Sequence, residues 1–182
     1  MENPPRQENI RFSEVATEIK AMAEKDQAMR ARAEENRGVI ESEEDDNLDK
    51  KNTERMKELV VEIGLPARSK VGEEASHKAW LLVQHADHDV QFQKHYLQLM
   101  KEANDGEVDK KDIAYLEDRV RVNEGMPQLY GTQFYIDPIR KIYTPRPIED
   151  SENVDKRRQE IGLDVMKEYA KNWDDINEEL KP

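Results

Sequence analysis

Gly125-Met126-Pro127-Gln128-Leu129-Tyr130-Gly131-Thr132-Gln133-Phe134-Tyr135 is the stretch where a helical pattern stops. Just before it, Ile113, Leu116 and Val120 recur at the three-and-four spacing of a helix buried on one side, and Asp109 with Asp112 opens that helix. Beyond Pro127 the residues are β-formers. Ile136-Asp137-Pro138 turns the chain, Lys141-Ile142-Tyr143-Thr144 pairs back, and Pro145 and Pro147 close the unit. The reading is one hairpin over 128–144. Its alternation puts Gln128, Tyr130, Thr132 and Phe134 on one side and Leu129, Gly131, Gln133 and Tyr135 on the other.

Outward from the hairpin the chain reads as helices. Residues 1–12 form a flexible arm, and Val15, Ile19, Met22 and Met29 then mark a helix from Ser13 to Gly38. Residues 41–49 hold six acids and one Leu, a self-repelling run that reads as a mobile solvated loop. A second helix carries Met56, Leu59, Val60 and Ile63 and ends at Gly64-Leu65-Pro66. A third runs from Val71 to Ala86, and a fourth, capped by Asp89, runs from Val90 to Ala103 with Phe92, Tyr96, Leu99 and Met100 inward. After the hairpin come helices over 153–161 and 164–180, the last with Trp173 and Ile176 inward. The expected fold is mainly α, a single helical domain over 13–182 with a small two-stranded β-hairpin.

Composition narrows the function. The 182 residues carry a net charge of -12, which argues against nucleic acid or an anionic membrane surface as general partner. No run approaches the roughly 20 apolar residues of a membrane helix, and the N-terminus lacks an export signal, so a soluble, cytoplasmic protein is expected. Cysteine is absent, which removes disulfides, thiol nucleophiles and Cys-ligated zinc. Phosphate loop, nucleophile elbow and basic aromatic helix are missing too.

Chemistry must then come from His, carboxylate, amide, hydroxyl and Arg groups. Asp26 interrupts the apolar stripe of the first helix, with Gln27 beside it and Arg30 one turn on. A carboxylate there needs a partner, either Arg30 on a partly exposed face or a polar pocket. All four histidines, His77, His85, His88 and His95, fall within one short span. His85, Asp87 and His88 could be drawn as metal ligands, but no ligand signature supports them, so neither metal nor cofactor is expected and the fold should not need zinc. Helix caps are the bland alternative, and they explain Gln84, His85 and Asp87 less well. Around the hairpin, Arg119, Gln128, Tyr130, Thr132 and Gln133 suit substrate binding, though an ordinary hydrogen-bonded hairpin explains them almost as well.

Taken in order, Asp26-Gln27-x-x-Arg30, Gln84-His85-Ala86-Asp87-His88-Asp89, Asp118-Arg119-Val120, Gln128-x-Tyr130-Gly131-Thr132-Gln133 and Pro147-Ile148-Glu149-Asp150 form a set. The set resembles a mainly bacterial domain family of unknown function. That resemblance spans about residues 13 to 170 and implies an all-helical domain with a small hairpin and a polar motif set. Val90 stands where the family pattern often has Pro.

Three functions fit. The first is an enzyme on a small polar, anionic metabolite, with His85 or His88 as general acid/base, Asp87 orienting it, and Arg30 and Arg119 holding the anionic group. The second is a non-catalytic ligand- or peptide-binding module. The third is a structural helical protein with buried polar networks. A small-molecule ligand is the expected partner, and oligomeric state stays open. Burial of unpaired polar groups costs about 1–3 kcal/mol each, so the motifs are expected to converge: Asp26, Gln27, Arg30, Gln84, His85, Asp87, His88, Arg119, Tyr130, Thr132 and Gln133 in one pocket.

Overall fold

The computed structural model describes residues 10–35, 47–137, 139 and 142–171. Most of the N-terminal arm and of the acidic segment lies outside them, as do Gly38, Pro138, Lys141, Trp173 and Ile176. The protein is mainly helical with one two-stranded antiparallel sheet. The chain divides into two compact units, Met1–Val108 and Asp109–Pro182.

The first unit holds α1 (Ser13–Glu35), α2 (Leu48–Ile63), α3 (Arg68–Val71), α4 (Glu73–Gln84) and α5 (Val90–Glu102). Helix α1 packs chiefly on α4, and both meet α2. The buried stripe of α1 is Ala16, Ile19, Ala23, Asp26 and Met29, whereas Val15 and Met22 lie at its half-buried margin. The alanines explain the rotation: Ala16 and Ala23 on α1, like Ala75 and Ala79 on α4, are at most 4% exposed, and small buried side chains on two packed helices let the backbones approach closely. Met56 and Leu59 of α2, Leu82 and Val83 of α4, and Phe92, Tyr96, Leu97 and Met100 of α5 complete this core. On α5, Leu97 is buried and Leu99 only half-buried.

The third helix, expected from Val71 to Ala86, is α4, which starts two residues later and ends two residues earlier, and the short α3 before it was not expected. Gly72 has φ 81°, left-handed territory that ends α3 and lets α4 start in a new direction. Helix α2 begins at Leu48, so Asp49 belongs to its first turn and not to a loop. Asp89 caps α5 as expected, its carboxylate accepting from the Phe92 N–H at 3.0 Å.

In the second unit, α6 (Lys110–Asn123) is capped by Asp109, which accepts from the Lys111 N–H at 2.8 Å. Strand β1 (Phe134–Ile136) pairs antiparallel with β2 (Tyr143–Pro145), Tyr135 facing Thr144. A 3-10 turn at Ser151–Asn153 leads into α7 (Val154–Glu160), and a further helix is described over 166–171. The sheet is shorter than the hairpin expected over 128–144. Residues 128–133 do not extend β1, and Gln128 makes only an isolated bridge to Ile148. The alternation of side chains expected there therefore does not apply. The cause is Asp118 on α6, which draws three backbone N–H groups of that stretch to its carboxylate.

Candidate functional site

In the first unit the end of α4 and the middle of α1 bring three charged or titratable side chains together. Asp26 is 0% exposed. Its Oδ2 lies 2.9 Å from His85 Nδ1, and its Oδ1 accepts from Arg30 Nη2 at 3.2 Å. The Gln27 amide, on the exposed side of the helix, adds a donor to Oδ2 at 2.9 Å. Arg30 also reaches Asp49 Oδ1 on α2 at 2.8 Å. Burial works against the charge on Asp26, but His85 and Arg30 outweigh it and hold the carboxyl below its ordinary value.

Two contacts compete for one ring nitrogen of His85, and their electrostatics favour one tautomer. Nδ1 faces both Asp26 Oδ2 and, at 3.0 Å, Arg30 Nε. It cannot donate to one and accept from the other. A bare Nδ1 lone pair at 2.9 Å from an ionised carboxylate is repulsive, while Nδ1–H makes a charge-assisted bond there. Arg30 has carboxylate acceptors in either case. The carboxylate contact thus favours hydrogen on Nδ1 of the neutral ring, which leaves Nε2 as the basic atom. The imidazole side chain is 15% exposed, so it is held and still partly open.

His85 is held from its backbone side as well. The last carbonyls of a helix have no intrahelical partner. At the end of α4 they find one in Gln93 of α5, fully buried, whose Nε2 lies 3.2 Å from the carbonyls of both Val83 and Gln84 and from Asp87 Oδ1. Asp87 is thus tied to Gln93, and the carboxylate that orients His85 is Asp26. His77, His88 and His95 are exposed, and His77 stacks on Trp80 with ring centroids 4.9 Å apart. Among the described residues no group of three or more His, Asp or Glu is placed to hold a metal ion.

Two buried amides lie on the helices that supply Asp49 and His85. Asn52, one turn along α2 from Asp49, and Gln84, next to His85, are each 6% exposed. The Asn52 Nδ2 donor and the Gln84 Oε1 acceptor find no partner among the described residues.

The remaining candidates belong to the second unit. Asp118, 0% exposed, accepts from the N–H groups of Leu129 at 2.6 Å, Tyr130 at 3.0 Å and Thr132 at 3.0 Å, and from the Thr132 hydroxyl at 3.0 Å. Burial pushes its carboxyl up, while these donors pull the other way. The Gln128 side chain is fully engaged with backbone: its Nε2 donates to Gln133 O at 3.0 Å and Arg146 O at 2.8 Å, and its Oε1 accepts from the Gln133 N–H at 2.8 Å. Gln133 Nε2 donates to Thr132 Oγ1 at 3.1 Å, and its Oε1 receives Arg119 Nη1 at 3.4 Å. Tyr130 is half-buried, and burial raises its phenol above the ordinary value. Arg158, 0% exposed, closes the network through Tyr130 O and Asp164 O, each at 2.5 Å, with its guanidinium over the Tyr169 ring.

Asp26, Gln27, Arg30 and His85 thus meet in the first unit, and Arg119, Gln128, Tyr130, Thr132 and Gln133 form a linked set in the second. Sequence reasoning passed over Asp49, Asn52, Gln93, Asp118 and Arg158 as site residues. Gln93 and Asp118 did carry a signal, a polar side chain between inward-facing neighbours on a helix. Asn52 and Arg158 sit among charged residues and carried none.

Comparison with curated proteins and with solved structures finds no match. A model described as a family of unknown function, DUF6624, matches residues 13–181. The chain belongs to that family.

Proposed function

We propose that the first unit carries a general acid/base site for a small polar metabolite, with His85 Nε2 as the atom that takes and returns the proton. The observation that supports it is the 2.9 Å contact of His85 Nδ1 with a carboxylate sealed from solvent. Such a carboxylate selects one tautomer and stabilises the imidazolium formed when Nε2 is protonated. Arg30 and Gln27 hold Asp26, and Gln93 holds the turn from which His85 projects. Removing Asp26 therefore removes orientation and charge stabilisation together. The anionic group expected of the substrate is not required by this reading, because Arg30 is already paired with Asp26 and Asp49.

The test is an untargeted metabolite screen by mass spectrometry. A mixed metabolite pool is incubated with the full chain, with His85→Ala and with Asp26→Asn. One or more metabolites should be consumed by the wild type, with the rate lowered at least 100-fold in His85→Ala, the scale of a lost general acid/base. No consumption by the wild type, or undiminished consumption by His85→Ala, contradicts the proposal.

A further inference from the structure

An open cleft of about 290 Å³ lies wholly within the first unit, bordered by the chain that joins α2 to α3, by α3 and by the end of α5 with the residues after it. Leu65, Ala67, Leu99 and Ala103 give it an apolar lining, and Lys70, Glu102 and Glu107 line it with charge. Small-molecule pockets run from roughly 300 to 1,000 Å³, so a cleft of this size suits a small occupant. The three charged groups are not paired with one another. Lys70 Nζ donates to Ile63 O, at the end of α2, at 2.5 Å. An ammonium has three donors, and among the described residues no carboxylate forms an ion pair with Lys70. Glu107 is held in place: its Oε2 accepts from the Ser69 N–H at 3.1 Å and the Ser69 hydroxyl at 2.8 Å, and its carbonyl accepts from the Arg68 N–H at 3.0 Å. No described residue donates to its Oε1. Glu102, which accepts from Gln98 Nε2 at 2.6 Å, ends α5, where the last carbonyls of the helix add partial negative charge.

We propose that this cleft binds a free, electrically neutral amino acid with an apolar side chain. The ligand's carboxylate takes the remaining donors of Lys70, its ammonium takes Glu107 Oε1 with Glu102 beside it, and its side chain covers the apolar lining. A lone carboxylate would meet two glutamates, and a lone amine would meet Lys70. A ligand that carries both signs satisfies each. The bonds to Ser69 and Ile63 O fix Glu107 and Lys70 before a ligand arrives, which lowers the ordering cost of binding. The proposal is independent of the acid/base reading of His85: α5, 13 residues and about 20 Å long, starts just after the turn that carries His85 and has the cleft at its other end.

The test titrates the isotopically labelled full chain with small probes and follows the backbone amide signals of Ser69, Lys70, Ala103 and Glu107 in ¹H–¹⁵N spectra. Three probes share one carbon skeleton: leucine, isovalerate without the amine, and isoamylamine without the carboxylate. Glycine lacks the apolar side chain, and N-acetylleucine lacks the ammonium charge. Leucine should shift these signals saturably, and each of the other four should bind at least ~10-fold more weakly, because a charged or apolar part of the cleft is then left unmatched. In Lys70→Met the preference for leucine over isoamylamine should vanish, and in Glu107→Gln the preference for leucine over isovalerate should vanish. A change of preference separates recognition from a merely structural role, which would weaken all probes alike, and the wild-type comparison decides the question even where a variant fails to fold. Absence of a saturable shift with leucine, binding of any other probe as tight as that of leucine, or unchanged preferences in both variants overturns the proposal.

Discussion

Asp118 and Arg158 hold the same residue from its two ends: the carboxylate accepts the Tyr130 N–H at 3.0 Å and the guanidinium donates to the Tyr130 carbonyl at 2.5 Å. Both side chains are 0% exposed. The described apolar residues buried in the second unit are only Ala114, Leu116, Val120 and Val154, so the polar network takes on work that a larger core would do. Asp118→Ala leaves three backbone N–H groups and the Thr132 hydroxyl without their acceptor. At about 1–3 kcal/mol per unsatisfied group, the loss should be at least ~3 kcal/mol, read as a shift of the urea midpoint. A loss below ~1 kcal/mol would show that the carboxylate is dispensable.

Gly131 sits inside that loop at φ 72°, and a Cβ there would lie 2.5 Å from Met166 Sδ and 3.0 Å from Ile148 Cδ1. Gly131→Ala therefore combines a left-handed backbone with a clash. The backbone alone costs about 1–2 kcal/mol. Thermal unfolding should show a loss of at least that size, and pairing the substitution with Met166→Ala should recover the clash but not the backbone cost. Full recovery in the double variant contradicts this account.

Asp26 makes stability depend on acid pH. Its folded carboxyl is held below the ordinary 3.8, so its contribution is fully present above that value and is lost as pH falls through the lower folded value. Melting temperatures of the wild type and Asp26→Asn should differ most above pH 3.8 and converge below it. A gap that stays constant down to the acid limit would mean that the Asp26 charge plays no part.

The Arg30 to Asp49 pair, at 2.8 Å, looks as close as any in the cluster, yet both side chains are 33% exposed. Solvent screening at that exposure makes such a pair worth less than about 1 kcal/mol. Asp49→Ala should change the unfolding free energy by no more than that, and a loss above ~2 kcal/mol would assign Asp49 a larger role.

The helices were legible because their signals are local: Asp89 and Asp109 cap α5 and α6, and Gly64 ends α2, where caps and breakers stand in the sequence. The pairing of Phe134–Ile136 with Tyr143–Pro145 was legible in kind but not in extent. Residues 128–133 have strand-forming side chains, but a carboxylate more than ten residues earlier on α6 decides their backbone, and no local pattern encodes that. Asp26 was visible as a polar residue on an apolar stripe. It was expected in one pocket with His85 but not as its direct partner, because His85 is 59 positions away and Asp87, nearer to His85 in sequence, was the carboxylate expected to orient it. The rotation of the α1 stripe onto Ala16 and Ala23 was hidden for a related reason: hydrophobicity favours Val15 and Met22, whereas close helix packing favours small side chains.

The claim that most of this rests on is the tautomer of His85, and ¹⁵N NMR of its ring measures it directly. At a pH where the ring is neutral, Nδ1 should give the signal of a protonated nitrogen and Nε2 that of a bare one, and Asp26→Asn should weaken or reverse that preference. A neutral His85 with hydrogen on Nε2 and a bare Nδ1 receiving Arg30 Nε–H would contradict the account, because the basic nitrogen would then be consumed inside the cluster.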